Sequence, residues 1–328
     1  MILPSGPQAT ALAARLLRDG QAVALPTETV YGLAADAASR EAVAAIYRIK
    51  GRPADHPLIV HVLDLAQAQA WGCFDARARA LAQAFWPGPL TLIVRRQPDA
   101  PPWACGGEPT VGLRVPAHPV AREVLAAFVA LGGSALAAPS ANRFGRVSPT
   151  RAQHVLDDLG SAVPLIVDGG ECAVGLESTI VDLSREQPVL LRPGGIAAEA
   201  IAAVLGEPLR ARDAQAPRAS GTLAAHYAPR TPLELVDAAA LPARLAELAA
   251  RGLSVAVWSQ YRPARAAVWQ PQPRDAHDCA HALYDTLRAL DAAALGRILV
   301  ERPPAAADWD AIHDRLGRAA ATFADEAP

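Results

Sequence analysis

A cationic segment near residue 50 offers the clearest chemistry in the sequence. It runs from Ile49 to Val62, reads IKGRPADHPLIVHV, and contains Lys50, Arg52, His56 and His61. Lys50 is the only lysine, so 30 of the 31 Lys and Arg residues are arginines. A compact, strongly hydrated ammonium in such a chain indicates a position that needs a point charge. A cationic loop that leads into an apolar strand is a usual place to bind an anion such as phosphate.

Other polar side chains stand in, at the end of, or next to predicted strands. They are Thr29, Arg114, Ser140, Asn142, Ser178 and Arg192. Loops that converge at the edge of a sheet form a cleft, and the cations here exceed the nearby acids. We therefore expect one cationic cleft that binds a ligand with phosphates. No GxxxxGK[ST] segment occurs, so this cleft would not be a P-loop.

Several of these residues also have a purely structural interpretation. His61 lies between two valines, which is typical of a hydrogen-bonded core histidine, and Ser140 and Asn142 are common turn formers. Arg114 inside the strand VGLRV is harder to explain, because a guanidinium that faces a core needs a carboxylate or phosphate partner. The acids that could pair with an arginine, or hold a metal instead, are Glu28 and Glu177.

The hydrophobic pattern predicts how these residues are positioned. Helices and strands alternate as far as about Leu205, which predicts an α/β domain with a mixed twisted sheet. Ser39 is expected to cap the helix that leads to the cationic loop. Pro26 to Asp36 shows neither period and is predicted to be a loop, while Thr150 with Gln153 predicts a capping box.

The remaining sequence predicts a linker and a second, smaller domain. We expect a first domain over 1–206, a proline-rich linker over 207–232, and a Rossmann-like βαβαβ domain over 233–328. No GxGxxG segment follows the first strand of this last domain, so the fold alone gives no reason to expect a dinucleotide.

Composition excludes several classes of protein. The 328 residues are 52% hydrophobic and 20% charged, with a net charge of −2, which argues against a protein that coats nucleic acid. The four cysteines form no CxxC pair, so no zinc knuckle or disulfide framework is indicated and a reducing cytoplasm fits. The N-terminus does not resemble a signal peptide, and the uncharged stretch Val124 to Asn142 is divided by two glycines, so no membrane role is expected.

Seven motifs together resemble one known family. In order they are PTETVYGLAAD, KGRPADHPLIVHV, FWPGPLTLIV, GLRVPAHP, APSANRFGRVSPT, VGLESTIVDL and LLRPGG, and they cover Pro26 to Gly195. They resemble the YrdC/Sua5 family of L-threonylcarbamoyladenylate synthases. HYAP at His226 to Pro229, followed by the Rossmann-like domain, resembles the two-domain Sua5 type. The resemblance implies a YrdC-like sheet with a cationic cleft.

The resemblance also implies a reaction and a set of site residues. L-threonine, bicarbonate or CO2, and ATP with Mg²⁺ would give threonylcarbamoyl-AMP and pyrophosphate. A separate transferase complex would use the product to modify tRNA next to the anticodon, so that this chain meets tRNA only indirectly or weakly. The implied threonine site is Thr29, His61, Arg114, Ala138 and Ser178. The implied ATP site is Lys50, Arg52, His56, Thr110, Ser140, Asn142, Ser148, Arg192 and Tyr227, with Lys50 and Arg52 catalytic and the metal ligands unknown.

The chemistry of the residues agrees with this reaction. Arg114 can bind the threonine carboxylate through two N–H groups and leave the amine free to become a carbamate. Lys50, Arg52 and Arg192 can stabilise the charge that develops when the carbamate attacks the α-phosphate. Three alternatives remain open from the sequence: a double-stranded-RNA-binding protein, the carbamoyl-adenylate module of hydrogenase maturation, and a regulatory or scaffold protein, which would not need Lys50. The acidic balance speaks against the first and the missing CxxC pairs against the second.

Overall fold

The computed structural model describes residues 1–324 and divides into two units. The first unit comprises residues 1–144 and 149–222, and the second comprises residues 145–148 and 223–328. The division falls inside the connector predicted over 207–232, so its first part folds with the first unit and its last part with the second. Among the described residues, no helix is both long enough and apolar enough to cross a membrane.

The first unit alternates helices and strands, as the pattern predicts. Its elements are β1 (Ile2–Pro4), α1 (Pro7–Arg18), β2 (Val23–Leu25), β3 (Gly32–Asp36), α2 (Arg40–Lys50), β4 (Ile59–His61), α3 (Leu65–Trp71), α4 (Ala76–Phe85), β5 (Leu90–Arg95), β6 (Thr110–Arg114), α5 (Pro119–Ala130), β7 (Leu136–Ala137), α6 (Ala152–Leu159), β8 (Leu165–Asp168), β9 (Thr179–Asp182), β10 (Val189–Arg192), α7 (Ala198–Leu205) and β11 (Arg210–Ala211).

These strands form one mixed sheet in the order β1-β8-β2-β3-β7-β4-β6-β5-β9-β10-β11. Strand β4 runs parallel to β6, whereas β5 runs antiparallel to β6 and parallel to β9. The C-terminal end of β6 therefore lies beside the N-terminal ends of β5 and β9. This arrangement confirms the predicted mixed sheet and brings residues that are distant in sequence to one place.

Helix α2 delivers the cationic loop, and both of its ends follow from local sequence. The Ser39 side chain accepts a hydrogen bond from the Ala42 N–H at 3.2 Å, which confirms the predicted N-cap. The helix ends at Gly51, whose φ of 64° lies in the left-handed region that glycine adopts without strain. Lys50 is thus the last helical residue and points into the protein, with 2% of its surface exposed.

Two local predictions were wrong. The stretch predicted as a loop over Pro26 to Asp36 ends in strand β3, all five residues of which are buried. A strand buried on both faces does not alternate apolar and polar residues, so periodicity could not reveal it. Thr150 does not form the predicted capping box, since helix α6 begins after Arg151 and has no side-chain cap.

The second unit is built around a parallel sheet, as its βαβαβ pattern predicts. Its elements are β12 (Leu233–Val236), α8 (Leu241–Ala250), β13 (Val255–Ser259), β14 (Val268–Pro271), α9 (Ala276–Ala292), β15 (Arg297–Glu301) and α10 (Asp310–Ala321). The four strands lie in the order β12-β15-β13-β14. Strand β14 and helix α10 were not predicted. The partly exposed β14 lies at the edge of the sheet and ends in proline, so its strand signal is weak.

Candidate functional site

The candidate cleft lies over one face of the large sheet, with residues of β6 on its floor. Alternate residues of a strand point to the same face, so Thr110, Gly112 and Arg114 share this side. In register with them, Ile59 lies beside Gly112 and His61 beside Arg114. The sequence argument placed the site at strand ends. The structure agrees, because Thr110 begins strand β6 and Arg114 ends it, and it adds that both residues belong to the same face.

Arg114 is held rigidly by three partners. Its Nε donates to the carbonyl oxygen of Gly88 at 3.2 Å, its Nη1 to the hydroxyl of Thr29 at 2.9 Å, and its Nη2 to the carboxylate of Glu28 at 2.6 Å. A guanidinium has five N–H groups, so one N–H remains on each of the two terminal nitrogens. These two remaining N–H groups are buried and held in a fixed orientation, so they can donate to the two oxygens of a carboxylate.

Glu28 supplies the partner that the sequence argument left open. Its second carboxylate oxygen accepts from the backbone N–H of Ala117 at 3.0 Å and of His118 at 3.4 Å. Burial acts to raise the pKa of Glu28, but the Arg114 charge and these hydrogen bonds outweigh burial and lower the pKa. Glu28 therefore stays ionised well into acid and fixes Arg114. Because these bonds occupy both of its oxygens, its interpretation as a metal ligand loses support.

His61 is a neutral histidine with a defined tautomer. Its Nδ1 lies 3.3 Å from the carbonyl oxygen of Ile59, and since a carbonyl only accepts, Nδ1 carries the hydrogen. Burial and the nearby Arg114 charge lower the pKa of His61 to about 3. Its Nε2 is consequently a lone-pair acceptor at neutral pH, so the hydrogen-bonded core histidine considered from the sequence also presents an acceptor beside Arg114.

The lowered pKa of His61 predicts a pH dependence of stability. Between the unfolded value of 6.5 and the folded value of about 3, the unfolded chain binds a proton that the folded chain does not. This contribution is present above pH 6.5 and is lost as the pH falls towards 3, at about 1.4 kcal/mol per pH unit. We expect His61→Gln to remove about 2 kcal/mol of the difference in unfolding free energy between pH 7 and pH 5. Urea titrations at both pH values measure the free energy of unfolding. If its difference between pH 7 and pH 5 is the same in the variant and in the unmodified protein, His61 is not a buried neutral histidine.

Lys50 lies at the other end of the same floor. Its Nζ donates to the carbonyl oxygens of Ser140 and Asn142, each at 2.5 Å, and one N–H remains for a further acceptor. Burial and the charge of Arg52 hold the pKa of Lys50 well below its usual value. A phosphate oxygen would satisfy the remaining N–H and favour the charged form. The structure therefore gives Lys50 a second task, which is to shape the Ser140 to Asn142 turn.

Arg52 and Arg192 meet at one residue of the connector. Arg52 donates through Nη2 to the Ser220 hydroxyl at 3.0 Å, and Arg192 donates through Nη1 to the Ser220 carbonyl at 2.9 Å. Arg192 also donates to the carbonyl and hydroxyl of Ser178. Two of the predicted phosphate-binding cations are thus bridged by Ser220, which the sequence analysis did not assign to the site. A serine in a connector carries no periodic signal that could have assigned it to the site.

The connector covers the cleft within the first unit. Its Ala216 and Ala219 pack against the apolar cluster that includes Ile93 and Ile180. Arg218 anchors it through ion pairs to Asp55 at 3.0 Å and Glu108 at 2.6 Å. Beneath it lies a small pocket, lined among others by Thr91, Thr110, Gly112 and Ser220. The first half of the connector is therefore a cover over the floor.

The remaining predicted residues divide between the two units. His56 packs edge-on against Phe144 at 5.3 Å between ring centroids in the first unit, close to Arg52. Ser148 and Tyr227 belong to the second unit. There Tyr227 stacks on Tyr284 at 5.8 Å, and the Arg315 guanidinium lies 5.1 Å from its ring centroid. The contacts of Ser148 and Tyr227 with a nucleotide stay predictions.

No cluster of metal-binding side chains is found at the cleft within residues 1–324. The group of three that could share an ion is Asp275, His277 and Asp278, all exposed on the second unit. The cleft instead offers the cationic side chains of Lys50, Arg52 and Arg192, which suit phosphates.

Comparisons with known proteins agree with this geometry. The Sua5–YciO–YrdC family, described as "Telomere recombination", matches residues 15–194, and the "Threonylcarbamoyl-AMP synthase, C-terminal domain" matches residues 196–321. A threonylcarbamoyl-AMP synthase of Bacillus subtilis is 40% identical over 94% of this chain and 92% of its own length. One from Pyrococcus abyssi is 42% identical over 69% of this chain and 67% of its own length.

A solved structure shows the same fold over nearly the whole chain. The crystal structure of Pyrococcus abyssi Sua5 complexed with L-threonine has a TM-score of 0.91 and 34% identity, covering 98% of this chain and 97% of that one. Both matched regions are present here in the order that the sequence motifs predicted. The chain therefore belongs to the Sua5–YciO–YrdC family, as a member of its two-domain Sua5 type.

Proposed function

We propose that this chain is an L-threonylcarbamoyladenylate synthase. It converts ATP, L-threonine and bicarbonate or CO2 into threonylcarbamoyl-AMP and pyrophosphate. The observation that carries the proposal is Arg114, which is fixed by Glu28 and Thr29 with two N–H groups left for a carboxylate. The buried cations Lys50 and Arg192 lie in the same unit as Arg114 and supply the charge for a phosphate site. The names of the Bacillus and Pyrococcus relatives support the same activity.

The residues divide the reaction between them. Arg114 binds the threonine carboxylate, which leaves the amine free to form a carbamate. A carbamate oxygen then attacks the α-phosphorus of ATP and pyrophosphate leaves. Lys50, Arg52 and Arg192 stabilise the negative charge that develops on the phosphates. No covalent intermediate with the protein is needed, which makes this chain a nucleotidyltransferase that acts by positioning and charge.

The connector supplies the cover that the product requires. A carbamate decomposes and a mixed anhydride hydrolyses in water, so the site must exclude solvent. Ala216 and Ala219 already cover the floor, and the Ser220 hydroxyl and carbonyl contact the cations that would bind phosphates. When ATP binds, its oxygens replace or share these contacts. Tyr227, farther along the connector, is proposed to complete the cover over the nucleotide.

The cover predicts a change in proteolysis. Arg210, Arg212 and Arg218 are exposed sites for trypsin in the connector. We expect cleavage there to slow at least several-fold when ATP and threonine are both bound, because product formation requires a closed cover. The exposed Arg265 of the second unit, which precedes an alanine, is the internal reference, since it lies far along the chain from the connector. If the connector is cut equally fast with and without both ligands, it is not a lid.

The proposed reaction also implies a metal ion, a downstream partner and a cellular compartment. Mg²⁺ enters as part of the ATP substrate, because the cleft has phosphate-binding cations in place of metal ligands. Threonylcarbamoyl-AMP is passed to a separate transferase complex that modifies tRNA, which this chain contacts indirectly or weakly. The four cysteines are free thiols, which is consistent with a reaction in the reducing cytoplasm.

Pyrophosphate release tests the proposed function. Release from ATP is expected to depend on both L-threonine and inorganic carbon, and to fall to background when either is left out. L-serine and L-valine are the controls, since one lacks the methyl group and the other the hydroxyl. If pyrophosphate is released from ATP equally fast with and without threonine, this result would contradict the proposal and favour a different adenylate chemistry.

A further inference from the structure

The sheet of the second unit has one edge with the geometry of a ligand site. Its paired strands are all parallel, so the ends of the four strands meet there, at Val236, Glu301, Ser259 and Pro271. The connections from β12 to β13 and from β14 to β15 cross the sheet in opposite directions, so right-handed crossovers place α8 and α9 on opposite faces. Helix α10 follows β15 and packs against α9. The chain therefore leaves the neighbours β12 and β15 towards opposite faces, and open α/β sheets bind ligands in a crevice of this kind.

Glu301 stands at this crevice with one carboxylate oxygen unused. It is 9% exposed, and its Oε2 accepts from the backbone N–H of Gln260 at 2.9 Å. Within residues 1–324, no arginine or histidine forms an ion pair with Glu301, and its Oε1 has no hydrogen-bond partner. This Oε1 still reaches solvent. Because acidic side chains are almost never buried without a partner, the unused oxygen indicates a donor that a ligand brings.

A second unused acceptor lies beside Glu301. Gln272 is 5% exposed, and its Nε2 donates to the carbonyl oxygen of Glu301 at 2.9 Å, which fixes the orientation of the amide. Its Oε1 has no partner among the described residues and also reaches solvent. Two acceptors suit a ligand with two hydroxyl groups. A cationic ligand is disfavoured, because exposed arginines stand within three residues of the strand ends, namely Arg262, Arg274 and Arg302.

An exposed aromatic ring follows the end of β13. Tyr261 is 70% exposed, its hydroxyl accepts from the Arg274 Nη2 at 2.7 Å, and the Arg274 guanidinium lies 5.4 Å from its ring centroid. A ring that is held in this way and still exposed offers a surface on which a flat base can stack. The next residue, Arg262, is exposed and makes no hydrogen bond or ion pair with any described residue. Its guanidinium is therefore available to a phosphate.

We propose that this crevice is a second ligand site, which binds a free ribonucleotide. The 2′- and 3′-hydroxyls of the ribose donate to Glu301 and Gln272, the base stacks on Tyr261, and the phosphate binds Arg262. A ribose satisfies both buried acceptors without bringing another charge into the crevice. The arginine takes the part that a glycine-rich turn has in dinucleotide-binding domains, so the missing GxGxxG segment does not count against the site. The crevice shares no residue with the cleft around Arg114.

Equilibrium dialysis of the full chain with the four ribonucleoside 5′-monophosphates, each added separately, tests the site. We expect at least one of them to occupy a class of sites that Glu301→Gln and Tyr261→Ala each weaken about tenfold or more in Kd. Glu301→Gln keeps an oxygen for the Gln260 N–H, and Tyr261 is exposed, so both variants should fold. Glu247→Gln, on the exposed side of helix α8, is the matched control and should leave the Kd unchanged. Binding in the cleft is common to all four proteins, so only the difference between them reports on the crevice.

A change in the ligand tests the ribose contacts separately. The 2′,3′-dideoxy form of the bound monophosphate lacks both hydroxyls, and we expect the unmodified protein to bind it about tenfold more weakly or worse. Equal affinity for the two forms, an unchanged Kd in Glu301→Gln, or no binding of any monophosphate would overturn the inference. Pyrophosphate release from ATP should be unchanged in Tyr261→Ala, so failure of the second site and failure of the proposed function give different results.

Discussion

Replacing Lys50 with arginine is expected to lower threonylcarbamoyl-AMP formation by about 100-fold or more, with the fold retained. The Nζ of Lys50 is enclosed by two carbonyl oxygens at 2.5 Å, and a planar guanidinium does not fit that space. A guanidinium excluded from that space would hold its charge away from the phosphates, and loss of the ammonium contacts also releases the turn that Ser140 and Asn142 form. Pyrophosphate release measures the effect, and Arg48→Lys on the exposed side of the same helix is the control. Activity within about threefold of the unmodified protein would contradict a phosphate role for Lys50.

The same residue allows a chemical test. Because Lys50 is the only lysine, an amine-reactive reagent can label only Lys50 and the N-terminus. The lowered pKa of Lys50 makes its amine nucleophilic, whereas a bound phosphate would raise that pKa and cover the group. ATP should therefore slow labelling of Lys50 and leave the exposed Met1 amine unchanged. Equal labelling rates at Lys50 with and without saturating ATP would contradict the binding of ATP phosphates at Lys50.

Arg114→Ala is expected to weaken threonine binding by about 2 to 4 kcal/mol, which corresponds to about 30- to 1,000-fold in Kd. The substitution removes two charge-assisted hydrogen bonds to the carboxylate, whereas ATP affinity should change far less. Isothermal titration with each ligand measures both values. Arg95→Ala, at the exposed end of the neighbouring strand β5, is the matched control.

Arg114→Ala also leaves the Glu28 carboxylate buried without its partner, which can destabilise the fold. The pair Glu28→Gln with Arg114→Gln removes both charges and tests threonine binding in a neutral cleft. We expect this double variant to fold and still to lose threonine affinity. If ATP binding falls as much as threonine binding in the folded variant, the two subsites have been assigned the wrong way round.

The sequence predicted the site where local chemistry is distinctive. The capped helix that ends at Lys50 and the buried arginine in β6 were both expected, because each breaks the pattern around it. The partner of Arg114 could not be chosen, since Glu28 lies 86 residues away and strand pairing brings the two together. The Ala138 side chain has no functional group, so Ala138 was assigned to the site only through the family resemblance.

The features that the sequence analysis did not predict share a physical cause. Strand β3 is buried on both faces, so it carries no alternation that would separate it from a loop. Ser220 lies in a segment without periodicity, and its contacts with Arg52 and Arg192 depend on how the connector crosses the sheet. A pocket near His61 is lined by residues of β2, β3, β4, β7 and α5 and of the loops next to them, so no short sequence motif could predict it.

Mass spectrometry of the reaction mixture tests the central claim most directly. The protein is incubated with ATP, Mg²⁺, L-threonine and isotopically labelled inorganic carbon, and the nucleotide products are separated. We predict a species with the mass of threonylcarbamoyl-AMP that carries the label, in amounts equal to the pyrophosphate released, and its absence in the Arg114→Ala variant. AMP and pyrophosphate without that labelled adenylate, or no turnover of ATP at all, would contradict the assignment of this cleft.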